Sequence, residues 1–145
     1  MSVQGPGRSA DSPGEEPGPA GPDGGVYEWY TRGLELLKAG SAAAAVQLLA
    51  RAAESEPESR SVREALARAQ YGARLFEEAA ANFRWIVEAD PAEDYALFGL
   101  GLTLSRMGDF EAAVEHLALA CAMRPENKDY SQALRHARAT LASRR

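Results

Sequence analysis

From Val26 onward, apolar side chains recur at the spacing of a helix face. Tyr27, Tyr30, Leu34 and Leu37 make one stripe. It breaks at Ala39-Gly40-Ser41, where Gly40 is placed to end a helix in the left-handed conformation that glycine adopts freely. A second stripe follows in Ala45, Leu48, Leu49 and Ala52. The pattern predicts two helices joined by a tight turn, and it comes back twice. Pro57, Pro91 and Pro125 stand 34 residues apart, and no other proline occurs after residue 25. Aligned on them, the chain falls into repeats of residues 26–59, 60–93 and 94–127. Positions that played no part in the alignment agree. Ala45, Ala79 and Ala113 coincide, as do Leu49, Phe83 and Leu117, and Ala52, Ile86 and Ala120. So do Gly33, Ala67 and Gly101, and the break residues Gly40, Arg74 and Gly108. Small side chains at Gly33, Ala67 and Gly101 and at Ala45, Ala79 and Ala113 let two antiparallel helices approach closely. Each proline is expected to open the next helix or end the linker before it, where its missing N–H costs little.

These residues resemble the tetratricopeptide repeat family, whose unit reads W-x2-L-G-x2-Y, then A-x3-F, then P. The third repeat is nearest, with Leu97, Leu100, Gly101 and Leu104, the turn Gly108-Asp109-Phe110, then Ala113, Leu117, Ala120 and Pro125. The first has Trp29 and Gly33, with Arg32 where an apolar residue is usual. The second departs most: Arg63 replaces the large apolar residue, Gln70 replaces the tyrosine, and Tyr71 comes one place late. The resemblance implies an all-α fold, an α-solenoid of three helical hairpins in a right-handed superhelix. One hairpin cannot bury both its faces, so an array needs a cap. Residues 128–145 suit that role, with Tyr130, Leu134, Ala137 and Leu141 as an inner stripe and Arg135, Arg138, Arg144 and Arg145 outside. Seven helices are expected.

Composition changes the picture only before that domain. Residues 1–25 hold seven of the 13 glycines, five of the eight prolines and no aromatic residue, with a net charge of −3. Such a segment buries too little surface to offset its ordering entropy and reads as a disordered, acidic tail. It lacks the apolar core and basic start of a secretory signal, and no run in the chain reaches the length of a membrane span. The 26–145 domain is mildly acidic, against the basic surface that nucleic-acid binding usually needs. The single cysteine, Cys121, excludes an intrachain disulfide and a Cys-cluster zinc site, and fits a cytoplasmic protein. The 14 arginines against two lysines suggest a GC-rich, bacterial genome.

No catalytic, cofactor or metal site is visible, and a non-enzyme is expected. His116 and His136 each stand alone on a helix. The glycines of Phe98-Gly99-Leu100-Gly101 lie inside a helix with no strand before them. Cys121 reads as a small core residue. Function is expected in the concave face that the family builds from its first helices. The matching residues are Tyr27, Tyr30, Leu34, Leu37 and Lys38 in the first repeat, Arg68 and Tyr71 in the second, and Tyr95, Phe98, Leu102 and Arg106 in the third. An apolar, aromatic-lined groove suits a partner peptide or helix with apolar anchors, in an adaptor or scaffold. The alternatives are a face covered by the capping helix or the tail, and a homo-oligomer built through the end units or the groove. Family members that clamp acidic chaperone tails use Lys, Asn and Arg at positions held here by Tyr30, Leu34, Ala65, Tyr95 and Gly99, so an acidic tail is not the expected ligand. Trp85 falls outside the usual packing set and is read as a convex-side contact or as packing against a neighbouring helix.

Overall fold

The computed structural model describes residues 25–144. The disordered tail read over residues 1–25 falls, apart from Gly25, outside the described residues, as does Arg145. The described residues form seven helices and no strand: α1 Val26–Lys38, α2 Ala42–Ser55, α3 Arg60–Gly72, α4 Phe76–Ala89, α5 Asp94–Arg106, α6 Phe110–Met123 and α7 Lys128–Ser143. They divide into two compact units, the break falling within α3 between Val62 and Arg63.

In the N-terminal unit, α1 packs along α2. A Cβ on Gly33 would lie 2.6 Å from Leu49 Cγ, so only glycine permits this approach. Helix α1 ends in a tight reversal: Gly40 N–H donates to Leu37 O and Ser41 N–H to Leu36 O, with Gly40 at φ +87°. The Arg51 guanidinium stands over the Trp29 ring, 4.7 Å from its centroid.

The C-terminal unit holds α4 against α5, α5 against α6, and α6 against α7. Gly101 repeats the first close approach, its missing Cβ 2.6 Å from Leu117 Cγ and 3.3 Å from Ala113 O. In the middle repeat Ala67 takes the glycine's place and shares its core with Phe83. That larger ring reaches on to α5, where a Cβ on Gly99 would lie 2.5 Å from it. Gly99, expected in the concave face, is a packing glycine. The other two first helices end as α1 does. Gly108 N–H donates to Ser105 O and Asp109 N–H to Leu104 O; Arg74 N–H donates to Tyr71 O and Leu75 N–H to Gln70 O. Gly108 sits at φ +89°, whereas Arg74 must hold φ +66° with a full side chain.

The prolines do not open helices. Each is the second residue of a β-turn: Ser59 N–H donates to Glu56 O, Glu93 N–H to Asp90 O, and Asn127 N–H to Arg124 O. Proline's fixed φ suits that place, and the turn's last residue can cap the next helix. Ser59 Oγ accepts from Val62 N–H at 3.2 Å and Asn127 Oδ1 from Tyr130 N–H at 3.0 Å.

Helix α7 covers the end of this core with Tyr130, Leu134 and Ala137 buried and Leu141 half-buried. The buried Tyr130 hydroxyl donates to Asp94 Oδ2 at 2.7 Å, and Arg124 Nε lies 3.6 Å from Asp94 Oδ1. Burial, then the bond to Asp94, pushes the tyrosine hydroxyl well above its ordinary pKa of 10.0. Trp85 is half-buried against the same core, with the Arg63 guanidinium 4.2 Å from its ring centroid. Arg63 Nη1 also donates to Asn82 Oδ1 at 3.2 Å, and Asn82 Nδ2 donates to Gln70 Oε1 at 2.8 Å.

Three outcomes follow. Gly101→Ala lowers the free energy of unfolding by about 1–3 kcal/mol in urea titrations, because the clash with Leu117 outweighs alanine's better helix propensity. Arg74→Gly raises it by about 1 kcal/mol, since glycine holds a positive φ without strain. Tyr130→Phe lowers it by about 1.5–3 kcal/mol at neutral pH, through loss of a hydrogen bond to a charged acceptor. The folded chain keeps the Tyr130 proton beyond the pH at which the unfolded chain releases it. The tyrosine's contribution is therefore intact below about pH 10 and is lost as the pH climbs further, so the wild type destabilises more steeply with alkali than Tyr130→Phe.

Candidate functional site

The residues expected to line a groove fall in both units. In the N-terminal unit they run along α1. Tyr27 is 79% exposed, Tyr30, Leu34 and Leu37 are half-buried, and Lys38 is exposed. Their spacing keeps Tyr27, Tyr30, Leu34 and Leu37 on one side of the helix.

In the C-terminal unit, α3 and α5 bring together two clusters. The first is Arg68 and Glu64 of α3 with Tyr95 and Phe98 of α5. Tyr95 is 36% exposed, and its ring centroid lies 6.1 Å from that of Phe98. Burial raises the Tyr95 hydroxyl above its ordinary pKa; the Arg68 charge opposes this and Glu64 adds to it. Burial likewise raises Glu64, against Arg68 and with help from Glu93. The second cluster is Tyr71, Phe76 and Arg106. Tyr71 meets Phe76 edge-on, centroids 5.5 Å apart, and the Arg106 guanidinium lies 5.8 Å from the Tyr71 centroid and 4.9 Å from that of Phe76. Leu102 stands half-buried further along α5.

Phe98 is not a free anchor. Its ring stacks on Tyr130 of α7, centroids 4.6 Å apart, so α7 takes part of this face into the core. Ala65 is buried as well. The positions that line the face thus also serve packing. Glu64 occupies a groove position of the second repeat, one turn before Arg68. Phe76 was missing from the expected groove residues. Phe76 opens a second helix, and the repeat pattern gives no hint that it turns toward Tyr71.

His116 bonds through Nδ1 to Ala112 O of its own helix at 2.8 Å, and His136 is exposed. Cys121 is a half-buried free thiol beside the core. Among the described residues no group of three His, Cys, Asp or Glu could hold a metal ion. Among them, too, no helix is long and apolar enough to cross a membrane.

The fold has many solved counterparts. MamA of AMB-1 superposes with a TM-score of 0.70 at 21% identity, over 81% of this chain and 64% of that one. This chain therefore spans a little under two thirds of that protein. MamA of MSR-1 superposes at 0.73 and 22% identity, over 82% and 68%. The first TPR of Spaghetti (RPAP3), bound to the HSP90 peptide SRMEEVD, superposes at 0.75 and 17% identity, over 81% and 93%. At such identities the likeness is one of fold. No curated protein matches the sequence. The family model for the tetratricopeptide repeat matches residues 30–81 and 64–128. Together these matches run over the helices, turns and small-residue contacts described above, and the chain belongs to the tetratricopeptide repeat family.

Proposed function

We propose that the chain is a non-enzymatic protein–protein interaction module, an adaptor or scaffold that holds a segment of a partner against the inner faces of its first helices. It is built, in this reading, from repeats 26–59, 60–93 and 94–127 with residues 128–145 as the cap. Family membership supports the class of activity, and one fold neighbour, the first TPR of Spaghetti, carries a bound peptide. The observation that carries the reading lies in the C-terminal unit. Tyr95 keeps 36% of its surface exposed between an exposed arginine, Arg68, and the half-buried Phe98. An aromatic ring held by packing beside a charge is the usual make-up of a binding hot spot.

The partner segment presents apolar anchors more than carboxylates. The family's acid-clamping positions hold Ala65 and Gly99 here, both buried and uncharged. Tyr95, at a third such position, sits beside the half-buried acid Glu64. A tail of the SRMEEVD type therefore fits this face poorly.

Quantitative mass spectrometry of proteins retained from native lysate distinguishes the outcomes. The wild type is compared with Tyr95→Asp/Arg68→Glu, a variant that leaves the Phe98–Tyr130 stack in place. With circular dichroism unchanged, specific partners are expected to fall about tenfold or more, the effect of losing one hot spot. Retention of the same partners by the variant would move the site off this face.

A further inference from the structure

The turn between α3 and α4 departs from its two counterparts. The first repeat turns through Gly40-Ser41-Ala42 and the third through Gly108-Asp109-Phe110; the second turns through Arg74-Leu75-Phe76. Both glycines hold positive φ, and Asp109 caps its helix by accepting from Ala112 N–H at 3.2 Å. Arg74 holds the same kind of φ at +66°, and Leu75 offers no side-chain cap. Ser41, at the matching place in the first repeat, makes no side-chain cap bond either, so the middle turn lacks the glycine of both counterparts and the cap of the third alone. Packing does not call for either replacement. Arg74 is exposed, and Leu75 is 38% exposed.

These replacements sit on an open pocket of about 430 Å3 lined by Arg74, Leu75, Phe76, Glu77, Glu78 and Met107. Its apolar part is Leu75, the half-buried Phe76 and Met107, the last 44% exposed. Two guanidiniums are held on the Phe76 ring, Arg74 at 5.5 Å and Arg106 at 4.9 Å from its centroid. Stacking orders both without neutralising either, and neither forms an ion pair with Glu77 or Glu78. The pocket thus brings together Arg74, with Arg106 beside it on the Phe76 ring, the acids Glu77 and Glu78 of the first turn of α4, and the apolar atoms of Leu75, Phe76 and Met107.

We infer that this pocket is a second peptide-docking site, specific for a partner segment that carries an apolar residue between an acidic and a basic one. The carboxylate meets Arg74 and Arg106, since guanidiniums ordered on a ring keep their N–H edges free for such a partner. The apolar side chain rests on Leu75, Phe76 and Met107. The basic group meets Glu77 and Glu78. A wholly acidic or wholly apolar segment leaves one side of the pocket unmatched. The site lies at the turn between α3 and α4; it shares Phe76 and Arg106 with the second cluster described above but neither Tyr95 nor Arg68, and it stands whether or not Tyr95 binds a partner.

The test uses the full-length 15N-labelled chain and short acetylated, amidated peptides. One carries Glu-Leu-Lys between neutral residues; its controls carry Gln-Leu-Lys, Glu-Leu-Gln and Glu-Ser-Lys. Saturable shifts of the Arg74, Leu75, Phe76 and Met107 amides are expected with Glu-Leu-Lys, each control binding about tenfold more weakly. Arg74→Gly keeps the turn, because glycine suits the backbone there, and is expected to weaken Glu-Leu-Lys binding by a similar factor. Arg106→Gln is expected to do the same without touching the turn. No shift at these amides with Glu-Leu-Lys would overturn the inference. Equal binding of the controls would overturn it too, leaving a nonspecific apolar pocket. Shifts centred on Tyr95 would seat the probe on the other face, and shifts that follow protein concentration alone would seat a second copy here; either overturns the assignment. Tyr95→Asp/Arg68→Glu is expected to bind Glu-Leu-Lys as the wild type does, which separates failure of this site from failure of the other.

Discussion

The structure depends on how closely the two helices of a hairpin can approach. At Gly33 and at Gly101 the facing leucine lies where a Cβ would be, so the first helix meets its partner backbone against side chain. An interior at this density leaves no slack for an added methyl group. The turn must be tight because the helices are close, and the left-handed residue at the end of the first helix makes it tight. The alanines at 45, 79 and 113 are buried for the same reason. The middle repeat meets the constraint differently. Ala67 stands where the others have glycine, Phe83 where they have leucine, and the phenyl ring's far edge requires the absence of a side chain at Gly99. Both residues at this contact are larger than their counterparts, and the glycine stands on the next helix instead.

The middle repeat also shows how a sequence can leave a family's pattern without leaving its fold. Trp29 and Arg51 stack in the first repeat; Arg63 and Trp85 stack in the second. The two pairs occupy the same two repeat positions with the partners exchanged. A cation over an indole face works in either direction, because the attraction belongs to the pair. Gln70, the other departure, is tied to Arg63 through Asn82. What reads along the chain as two lost hydrophobic residues is one polar network, supported by a tryptophan that looks out of place until its partner is seen.

Helix number, turn positions and the inner stripe of α7 were legible because each is written in local spacing. Gly40 and Gly108 marked their turns for the same reason. The candidate site was legible only as a set of positions. Periodicity says which face of a helix is apolar, and it does not say what covers that face. Phe98 and Tyr95 looked equivalent, three residues apart on one helix. Tyr130, 32 residues beyond Phe98, takes one ring and leaves the other. The buried hydroxyl of Tyr130 also needs an acceptor, and Asp94, at the start of α5, supplies it. No spacing rule links residues 94 and 130. The prolines, so regular along the chain, were expected to open the next helix or to end the linker before it; they stand in the linker, as second residues of its turn, and the N-cap position comes two residues later.

Both neighbouring repeats fill the left-handed turn position with glycine and the middle one fills it with arginine, and the place is informative. A turn that can be made with glycine, and a helix start that can be capped by aspartate, are made with arginine and leucine between α3 and α4. Substitutions of this kind lower stability and add exposed surface, so packing cannot account for them. Natural chains depart from local preference chiefly where a surface is used. The three turns are otherwise alike in hydrogen bonding, so the comparison isolates the side chains. Those side chains stack two cations on one ring, beside exposed apolar atoms and two uncompensated acids. Membership of the tetratricopeptide repeat family supports a protein–protein interaction role, while the fold itself is shared by proteins of unlike sequence. In the reading proposed here, what the chain binds is decided by side chains that the shared fold does not require, and in this chain they gather at Tyr95 and at Arg74.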